Sequence, residues 1–135
     1  MHDQIQRNYW ESRGTRRSPR HPVIESFSRP KLEYARRQMT QAHVASVLDV
    51  GAGNGYFTWL LETWGDAIAL DFAKTMLLQH PSDKRIQGDV TRLPLCDTSV
   101  DIVFCGNLLH HLENQELAVE EMARVAAKYV VLVEP

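Results

Sequence analysis

Short runs of apolar residues, rich in branched side chains, recur along the chain from Val44 onward. Runs of about four to eight residues without polar alternation are typical of strands buried on both faces, as in parallel sheets. Five strands are predicted, the third from a shorter and more polar run: Val44–Val50, Ala67–Leu70, Arg85–Gly88, Val100–Cys105 and Tyr129–Val133.

Stretches with helical spacing separate most of these strands, and two more precede the first. The predicted helices are Asp3–Ser12, a helix that starts at Ser28 with Pro30 in its first turn, Tyr56–Trp64, Ala73–His80 and Asn114–Ala127. Alternating strands and helices favour right-handed βαβ units. We therefore expect an α/β fold, with an open, mainly parallel sheet of order 3-2-1-4-5 and helices on both faces.

The composition narrows the class of protein without pointing to a function. A chain of 135 residues with 44% hydrophobic and 24% charged residues fits one globular domain and excludes a collagen-like or disordered chain. No run approaches the ~18 apolar residues of a membrane span, and the first residues lack a signal-peptide pattern. Two cysteines, Cys96 and Cys105, are too few for a disulfide scaffold. These features predict a cytoplasmic protein with no membrane partner.

Charge is divided unevenly along the chain. Residues 1–40 carry nine Lys or Arg against four Asp or Glu, whereas residues 41–135 carry six against thirteen. We expect residues 1–40 to form a basic arm and helix, and residues 41–135 to form the main domain. The arginines of the arm indicate either a solvated segment or one that binds an anion or caps a substrate. Tyr9 and Trp10 in this segment either pack against the domain or fold over a bound ligand.

Glycine occupies every second position of the loop after the first strand, at Gly51, Gly53 and Gly55. Glycine permits positive φ angles and lets a ligand approach the backbone closely. The spacing departs from the Gly-x-Gly-x-x-Gly dinucleotide fingerprint, because Tyr56 stands at its last position. Just before the loop, Asp49 would repel a pyrophosphate and attract an ammonium or sulfonium group. The loop thus argues against a nicotinamide-dependent oxidoreductase.

Polar side chains also follow the next three strands, as Asp71, Asp89 and Asn107. The carboxyl ends of parallel strands meet at one edge of such a sheet, and ligands bind there at the point where the strand order reverses. Asp71 lies where nucleoside-binding α/β folds place an acidic residue on a ribose hydroxyl pair. The pattern predicts a crevice for a nucleoside.

Several segments in this order resemble the class I S-adenosylmethionine-dependent methyltransferases, and most closely their type 11 domain. They are Val47–Phe57, Ile68–Asp71, Gly88–Asp89, Leu93–Val103, Leu108–Leu112 and Glu121–Val125. The resemblance implies a Rossmann-like fold with S-adenosyl-L-methionine as cofactor. Members of the family carry two further strands after the fifth, so we expect this domain to be truncated at its C-terminus, with an exposed fifth-strand edge through which copies of the chain could pair.

By the same resemblance, each predicted site residue has a role toward the cofactor. Gly51, Ala52, Gly53 and Gly55 would line its methionine part, with Asp49 supporting the loop or the ammonium group. Asp71 would bind the ribose hydroxyls, Phe72 would pack on the adenine, Asp89 and the Val90 backbone would meet the adenine edge, and Asn107 would lie near the sulfur. No metal is implied.

The acceptor of the methyl group is less constrained by the sequence. His110 and His111 are the candidates for a general base, although a structural hydrogen bond is the simpler explanation of a histidine at such a position. Asn107-Leu108 lacks the Pro-Pro-aromatic continuation typical of enzymes that methylate amino groups of nucleic acid bases, and the domain is acidic. A small-molecule acceptor is therefore predicted. The alternative is a non-catalytic module that binds the nucleoside or a partner.

Overall fold

In a computed structural model, residues 2–14, 16–39 and 43–135 are described. Two helices, α1 (His2–Glu11) and α2 (Pro22–Gln38), precede a region in which strands alternate with helices. That region consists of β1 (Ser46–Val50), α3 (Thr58–Leu61), β2 (Asp66–Asp71), α4 (Lys74–Leu78), β3 (Arg85–Gln87), β4 (Val100–Gly106), a 3₁₀ turn (Leu109–His111), α5 (Gln115–Val125) and β5 (Ala126–Val133). None of the helices in the described ranges is long and apolar enough to cross a membrane.

The five strands form one sheet in the order β3-β2-β1-β4-β5, and every pairing is parallel. This confirms the predicted order. The central strand β1 pairs with β2 on one side and β4 on the other, so strand order reverses beside it. The carboxyl ends of β1 and β4 therefore separate the two halves of the sheet and leave a crevice between them.

Helices cover both faces of the sheet, as predicted. One core joins α2 and α3 to the sheet and includes Leu32, Leu61, Val47, Ile102 and Phe104. The other joins α5 to the opposite face and includes Leu48, Val50, Val103, Met122 and Val125. Successive residues of β1 and β4 thus alternate between the two cores, which is the strand period of two.

The prediction for the start of α2 is wrong. The helix begins at Pro22, capped by His21, whose Nδ1 accepts a hydrogen bond from the Val23 N–H. Ser28 is buried inside the helix, where its hydroxyl donates to the Ile24 carbonyl, and Pro30 lies in the helix interior. The Ser28 hydroxyl thus bonds back to the preceding turn of the same helix instead of capping a new one.

Other boundaries shift by a few residues. The predicted helix Tyr56–Trp64 contracts to the four residues of α3, because residues 51–57 form successive turns. Ala73 caps α4 instead of opening it. Asn114 caps α5 as predicted, with its side chain accepting from the Leu117 N–H, but the helix passes directly into β5 at Ala126.

Candidate functional site

The loop between β1 and α3 depends on glycine at three positions. Gly51, Gly53 and Gly55 have φ angles of +71°, +57° and +100°, a region that other residues rarely adopt. A Cβ on Gly51 would lie 2.9 Å from Leu108 Cδ2, and one on Gly55 would lie 2.9 Å from His80 Nε2. The backbone is therefore packed closely on both sides of the loop.

The amides of this loop are already committed to acceptors within the protein. The N–H groups of Gly51 and Ala52 donate to the Leu70 carbonyl at 2.8 and 3.0 Å. The Gly55 N–H donates to the Ala52 carbonyl at 2.9 Å, and the Gly53 N–H donates to Asp71 Oδ2 at 2.8 Å. These four amides offer a ligand a smooth backbone wall instead of hydrogen-bond donors.

Asp71, the last residue of β2, ties the loop to the next crossover. Its Oδ2 accepts from Gly53 and its Oδ1 accepts from the Ala73 N–H at 2.8 Å. Burial raises the pKa of this carboxyl, and the two backbone hydrogen bonds act against that shift. Each oxygen has a second lone pair that could accept a further hydrogen bond. The carboxylate is thus placed rigidly at the edge of the crevice.

Asp49 lies behind the loop, in a buried chain of hydrogen bonds. Its Oδ2 accepts from the Thr58 hydroxyl at 2.6 Å, and Thr58 Oγ is 3.0 Å from His80 Nε2. His80 Nδ1 accepts from the Ser82 N–H at 3.1 Å, so in the neutral ring Nε2 carries the proton and donates to Thr58. Burial raises the pKa of Asp49 to about 7, and burial also lowers the pKa of His80. This chain supports the loop from below.

Two adjoining cavities fill the crevice at the carboxyl ends of the strands. The first, of about 120 Å³, lies between α1 and the ends of β1, β2 and β3. The second, of about 270 Å³, lies over the glycine loop and the end of β4. They share the walls Trp10, Gly51, Asp71, Phe72, Leu108 and His111. The two cavities thus meet along Asp71 and the start of the glycine loop.

The structure gathers most of the predicted site residues around these cavities. Gly51, Asp71, Phe72 and His111 line both of them; Asp89 and Val90 line the first; and Ala52, Gly53, Asn107 and His110 line the second. Asp49 and Gly55 line neither. Asp49 lies beneath the loop, where its carboxylate faces the Thr58 hydroxyl.

The roof of the first cavity is α1, which the sequence only partly indicated. Asp3, Arg7 and Trp10 face the cavity, with the Arg7 guanidinium 5.2 Å from the centre of the Phe72 ring. Trp10 meets the His111 ring edge-on at 5.9 Å. Tyr9 and Trp10 were expected either to pack against the domain or to fold over a bound ligand, and Trp10 lies over the crevice.

Glu11 fastens this roof to α4. Its carboxylate accepts from the N–H groups of Lys74 and Thr75 at 2.7 and 3.1 Å, and also from the Thr75 hydroxyl. The hydrogen bond from the Thr75 hydroxyl is the main cause that lowers the pKa of Glu11. A side chain 63 residues away in sequence thereby caps the first turn of α4.

We expect Glu11→Ala to loosen the roof without unfolding the sheet. The first turn of α4 loses its cap, which typically costs about 1 kcal/mol. Hydrogen exchange of the α1 amides should accelerate, while the amides of β1 and β4 keep their protection. Glu25→Ala is the matched control, because among residues 2–14, 16–39 and 43–135 the Glu25 carboxylate pairs only with Arg29, on the surface of α2. Unchanged exchange in α1 of the Glu11 variant would contradict the role of Glu11 as a fastening.

A second carboxylate, Glu134, was missed at the sequence level. Its Oε1 accepts from the N–H groups of Leu108 and Leu109 at 3.2 and 2.9 Å, and its Oε2 lies 2.6 Å from His110 Nδ1. Burial raises the pKa of Glu134, but these hydrogen bonds outweigh burial and lower it overall. The available signal was its position directly after β5, the same strand-end position that singled out Asp71 and Asp89.

The comparisons with known proteins agree with this architecture. A family model described as a methyltransferase domain matches residues 48–133. A malonyl-[acyl-carrier protein] O-methyltransferase of Buchnera aphidicola is 33% identical over 85 residues, covering 59% of this chain and 34% of that protein. A probable S-adenosylmethionine-dependent methyltransferase of Mycobacterium tuberculosis is 32% identical over 104 residues, covering 73% and 38%. The chain thus spans about a third of the length of these relatives.

Solved structures show the same fold. The Pyrococcus horikoshii protein PH0226 superposes with a TM-score of 0.74 at 22% identity, over 93% of this chain and 64% of that one. The match of the family model extends from β1 to the end of β5, and so includes every strand end that lines the crevice. The chain therefore belongs to the methyltransferase domain family of class I S-adenosylmethionine-dependent methyltransferases.

Proposed function

We propose that the chain binds S-adenosyl-L-methionine in the two joined cavities and transfers its methyl group to a small-molecule acceptor. The observation that carries this proposal is the position of Asp71, which is buried, held by two backbone amides and exposed to both cavities. A carboxylate so placed can accept hydrogen bonds from a pair of vicinal hydroxyls. The nucleoside would then lie across the boundary between the two cavities.

The walls of the first cavity suit the adenine of that nucleoside. Phe72, Val90 and Leu112 supply apolar surface, while Asp89 stands at the rim. Asp89 Oδ1 accepts from the Thr91 N–H and hydroxyl, each at 2.8 Å, and its Oδ2 accepts no hydrogen bond from the described part of the chain. That oxygen is available to the exocyclic amino group of adenine. In the second cavity, the glycine loop leaves room for the methionine part beside Gly53, where an added Cβ would have only Arg16 Nη1, at 3.4 Å, within 4 Å among the described residues.

The proposed reaction requires no covalent bond between the protein and the methyl group. When bound, the cofactor would supply a methyl group on a sulfonium sulfur, and breaking the S–CH3 bond would release a neutral thioether, which is a good leaving group. The chain has to align the acceptor with that group and keep water out. The roof formed by α1 and the rigid loop serve these two purposes, and Asn107, held at φ +54° with its N–H on the Val133 carbonyl, marks the wall beside the methyl group.

His110 is the proposed general base for acceptors that must lose a proton. Glu134 accepts the proton of His110 Nδ1, which leaves Nε2 as the basic nitrogen. Glu134 itself is anchored by the Leu108 and Leu109 amides, so it acts as a positioning residue for the ring. The His111 ring lies 4.0 Å from the His110 ring, tilted by 42°, and meets Trp10 edge-on, so we assign it to the wall of the crevice.

The tautomers of two histidines provide a direct check on this arrangement. In nitrogen-detected NMR spectra at pH 8, we expect His110 to carry its proton on Nδ1 because Glu134 accepts it there. His80 should show the opposite tautomer, because its Nδ1 accepts from Ser82. Glu134→Ala should release the His110 preference and leave His80 unchanged. An Nε2-protonated His110 in the unaltered chain would contradict the proposed role.

The class of acceptor rests on charge and on the relatives. The acidic residues 41–135 oppose binding of a nucleic acid backbone, which requires basic surface. The Buchnera relative is named for methylating malonyl-[acyl-carrier protein], an acyl group carried on a protein. We propose a small organic acceptor that reaches the second cavity between Tyr56, Asn107 and His110.

Two measurements test the proposed function. Calorimetric titration of the chain with S-adenosylhomocysteine should show binding, and titration with NAD⁺ should show none. Transfer of a labelled methyl group from S-adenosylmethionine to any member of a panel of hydroxyl, amine and carboxylate acceptors would then establish catalysis. Binding of S-adenosylhomocysteine without any methylated product would favour the non-catalytic module. A folded chain that binds no S-adenosylhomocysteine contradicts the proposal.

A further inference from the structure

The basic arm crosses the glycine loop and is attached to the domain at two places, the end of α4 and the loop itself. The Arg16 N–H donates to Gln79 Oε1 at 3.0 Å, at the end of α4. One residue later, the Arg17 carbonyl accepts from Asn54 Nδ2 at 2.9 Å, on the glycine loop itself. Asn54 is buried and Arg17 is exposed, so this second contact is partly buried. The backbone of the arm therefore fixes the position from which the Arg16 side chain enters the crevice.

The Arg16 guanidinium is held between aromatic rings at the second cavity. It lies 4.2 Å from the centre of the Tyr56 ring and 5.6 Å from that of Trp10, and its Nη1 is 3.4 Å from the place of a Cβ on Gly53. Aromatic faces satisfy the charge of a guanidinium but leave its five N–H donors without acceptors. Within the described ranges, no carboxylate pairs with the Arg16 guanidinium, and the guanidinium N–H groups donate no hydrogen bond; only the backbone N–H does, to Gln79.

This cation lines the second cavity, which we assigned to the methionine part of the cofactor. The amides of Gly51, Ala52, Gly53 and Gly55 all donate within the protein, so these loop amides cannot hold a carboxylate. Among the described residues, Arg16 is the only lysine or arginine that lines the second cavity. Its charge also reaches Asp71, where burial raises the pKa of the carboxyl and Arg16 partly opposes that rise. The methionine part of the cofactor carries a carboxylate that needs such a donor.

We propose that Arg16 binds the α-carboxylate of the methionine part of the cofactor, an inference that rests on the proposed function. The arm would then be part of the cofactor site. Of the two alternatives for its arginines, a solvated segment or an anion-binding one, Arg16 would follow the second. The interaction is a charge-assisted hydrogen bond of a guanidinium with a carboxylate, in a partly enclosed crevice. Arg13, Arg17 and Arg20 take no part in it.

Two ligands that differ only in this carboxylate-bearing part provide the test. S-adenosylhomocysteine contains the amino acid, whereas 5′-methylthioadenosine has the same nucleoside and thioether without it. Calorimetric titration of the full chain with each ligand is compared for the unaltered protein, Arg16→Gln, Arg16→Lys and Arg20→Gln. Arg20 is the matched control, because its guanidinium also lies over an aromatic ring, Trp59 at 5.3 Å, away from the crevice.

We expect Arg16→Gln to weaken the affinity for S-adenosylhomocysteine about tenfold, as for loss of one charge-assisted hydrogen bond. The affinity for 5′-methylthioadenosine should stay within about twofold of that of the unaltered protein. Arg16→Lys should recover part of the loss, and Arg20→Gln should change neither affinity. Equal weakening of both ligands would show that Arg16 only shapes the wall, and unchanged S-adenosylhomocysteine affinity would assign the guanidinium to an acceptor's anion; either result overturns the proposal. If the unaltered chain binds neither ligand, the proposed function fails and the role of Arg16 with it.

Discussion

Replacing Asp71 with alanine is expected to weaken binding of S-adenosylhomocysteine at least about 100-fold, beyond ready detection by calorimetry. The change removes the proposed acceptor for both ribose hydroxyls, each a hydrogen bond to a charged group. It also leaves the Gly53 and Ala73 amides without their partner, so the glycine loop loses its attachment to β2. The free energy of unfolding should fall by about 2 kcal/mol, since water entering the crevice compensates part of this loss.

Two variants separate the binding role of Asp71 from its structural role. Asp71→Asn keeps one carbonyl oxygen for a backbone amide and should therefore retain most of the stability while still losing most of the affinity. Asp66→Ala changes a carboxylate at the other end of the same strand, where it is exposed and pairs with Lys84. It should leave affinity unchanged. If a folded Asp71→Ala variant bound S-adenosylhomocysteine as tightly as the unaltered protein, Asp71 would not be part of the cofactor site.

Replacing Asp49 with asparagine is expected to stabilise the protein increasingly as the pH rises from about 4 to about 7. Burial raises the folded-state pKa of Asp49 from 3.8 to about 7, so in this window the folded state binds more protons than the unfolded state. The Asp49 contribution to stability is therefore present at low pH and is lost as the pH rises toward 7. Asparagine cannot ionise and still accepts the hydrogen bond from Thr58.

The size of this effect follows from the shift. At about 1.4 kcal/mol for each pKa unit, the difference in free energy of unfolding between Asp49→Asn and the unaltered chain should grow by on the order of 4 kcal/mol by pH 8. Urea titrations at several pH values measure it, and titrating groups outside the hydrogen-bond chain of Asp49, Thr58 and His80 cancel in the difference. Asp101→Asn is the control: the Ala45 amide lowers the Asp101 pKa, so its difference should be flat above pH 5. A flat difference for Asp49→Asn would show that Asp49 ionises freely.

The sheet could be predicted because its signals are local and repeated. Runs such as Val100–Cys105 are too apolar to face water, and the alternation of strands and helices restricts the topology to a few choices. The convergence of Asp71, Asp89 and Asn107 then follows from the parallel order, since each lies within two residues of the end of a strand.

The place of Asp49 shows where strand-end reasoning fails. β1 continues to Val50, so Asp49 still belongs to the strand. Its side chain points to the opposite face of the sheet from those of its neighbours Leu48 and Val50. Period-two alternation turns it toward the face covered by α3, where Thr58 meets it. One residue of difference in the strand boundary thus separates a residue on the wall of the crevice from one that supports the loop.

The arm and the roof could not be predicted, because their contacts are distant in sequence. Glu11 reaches Thr75 and Arg16 reaches Gln79, 64 and 63 residues away, and no local pattern in residues 1–20 indicates either partner. The same holds for Glu134 and His110, which meet only because β4 and β5 are neighbours. Their assignments depend on the assembled fold.

A crystal structure of the chain in complex with S-adenosylhomocysteine would test the cofactor site most directly. We expect difference density that places the ribose within hydrogen-bond distance of the carboxylate of residue 71, the adenine against Phe72 and Val90, and the sulfur above the loop that begins at residue 51. Density for the nucleoside outside this crevice, or a ligand in it that makes no contact with residue 71, would contradict the assignment.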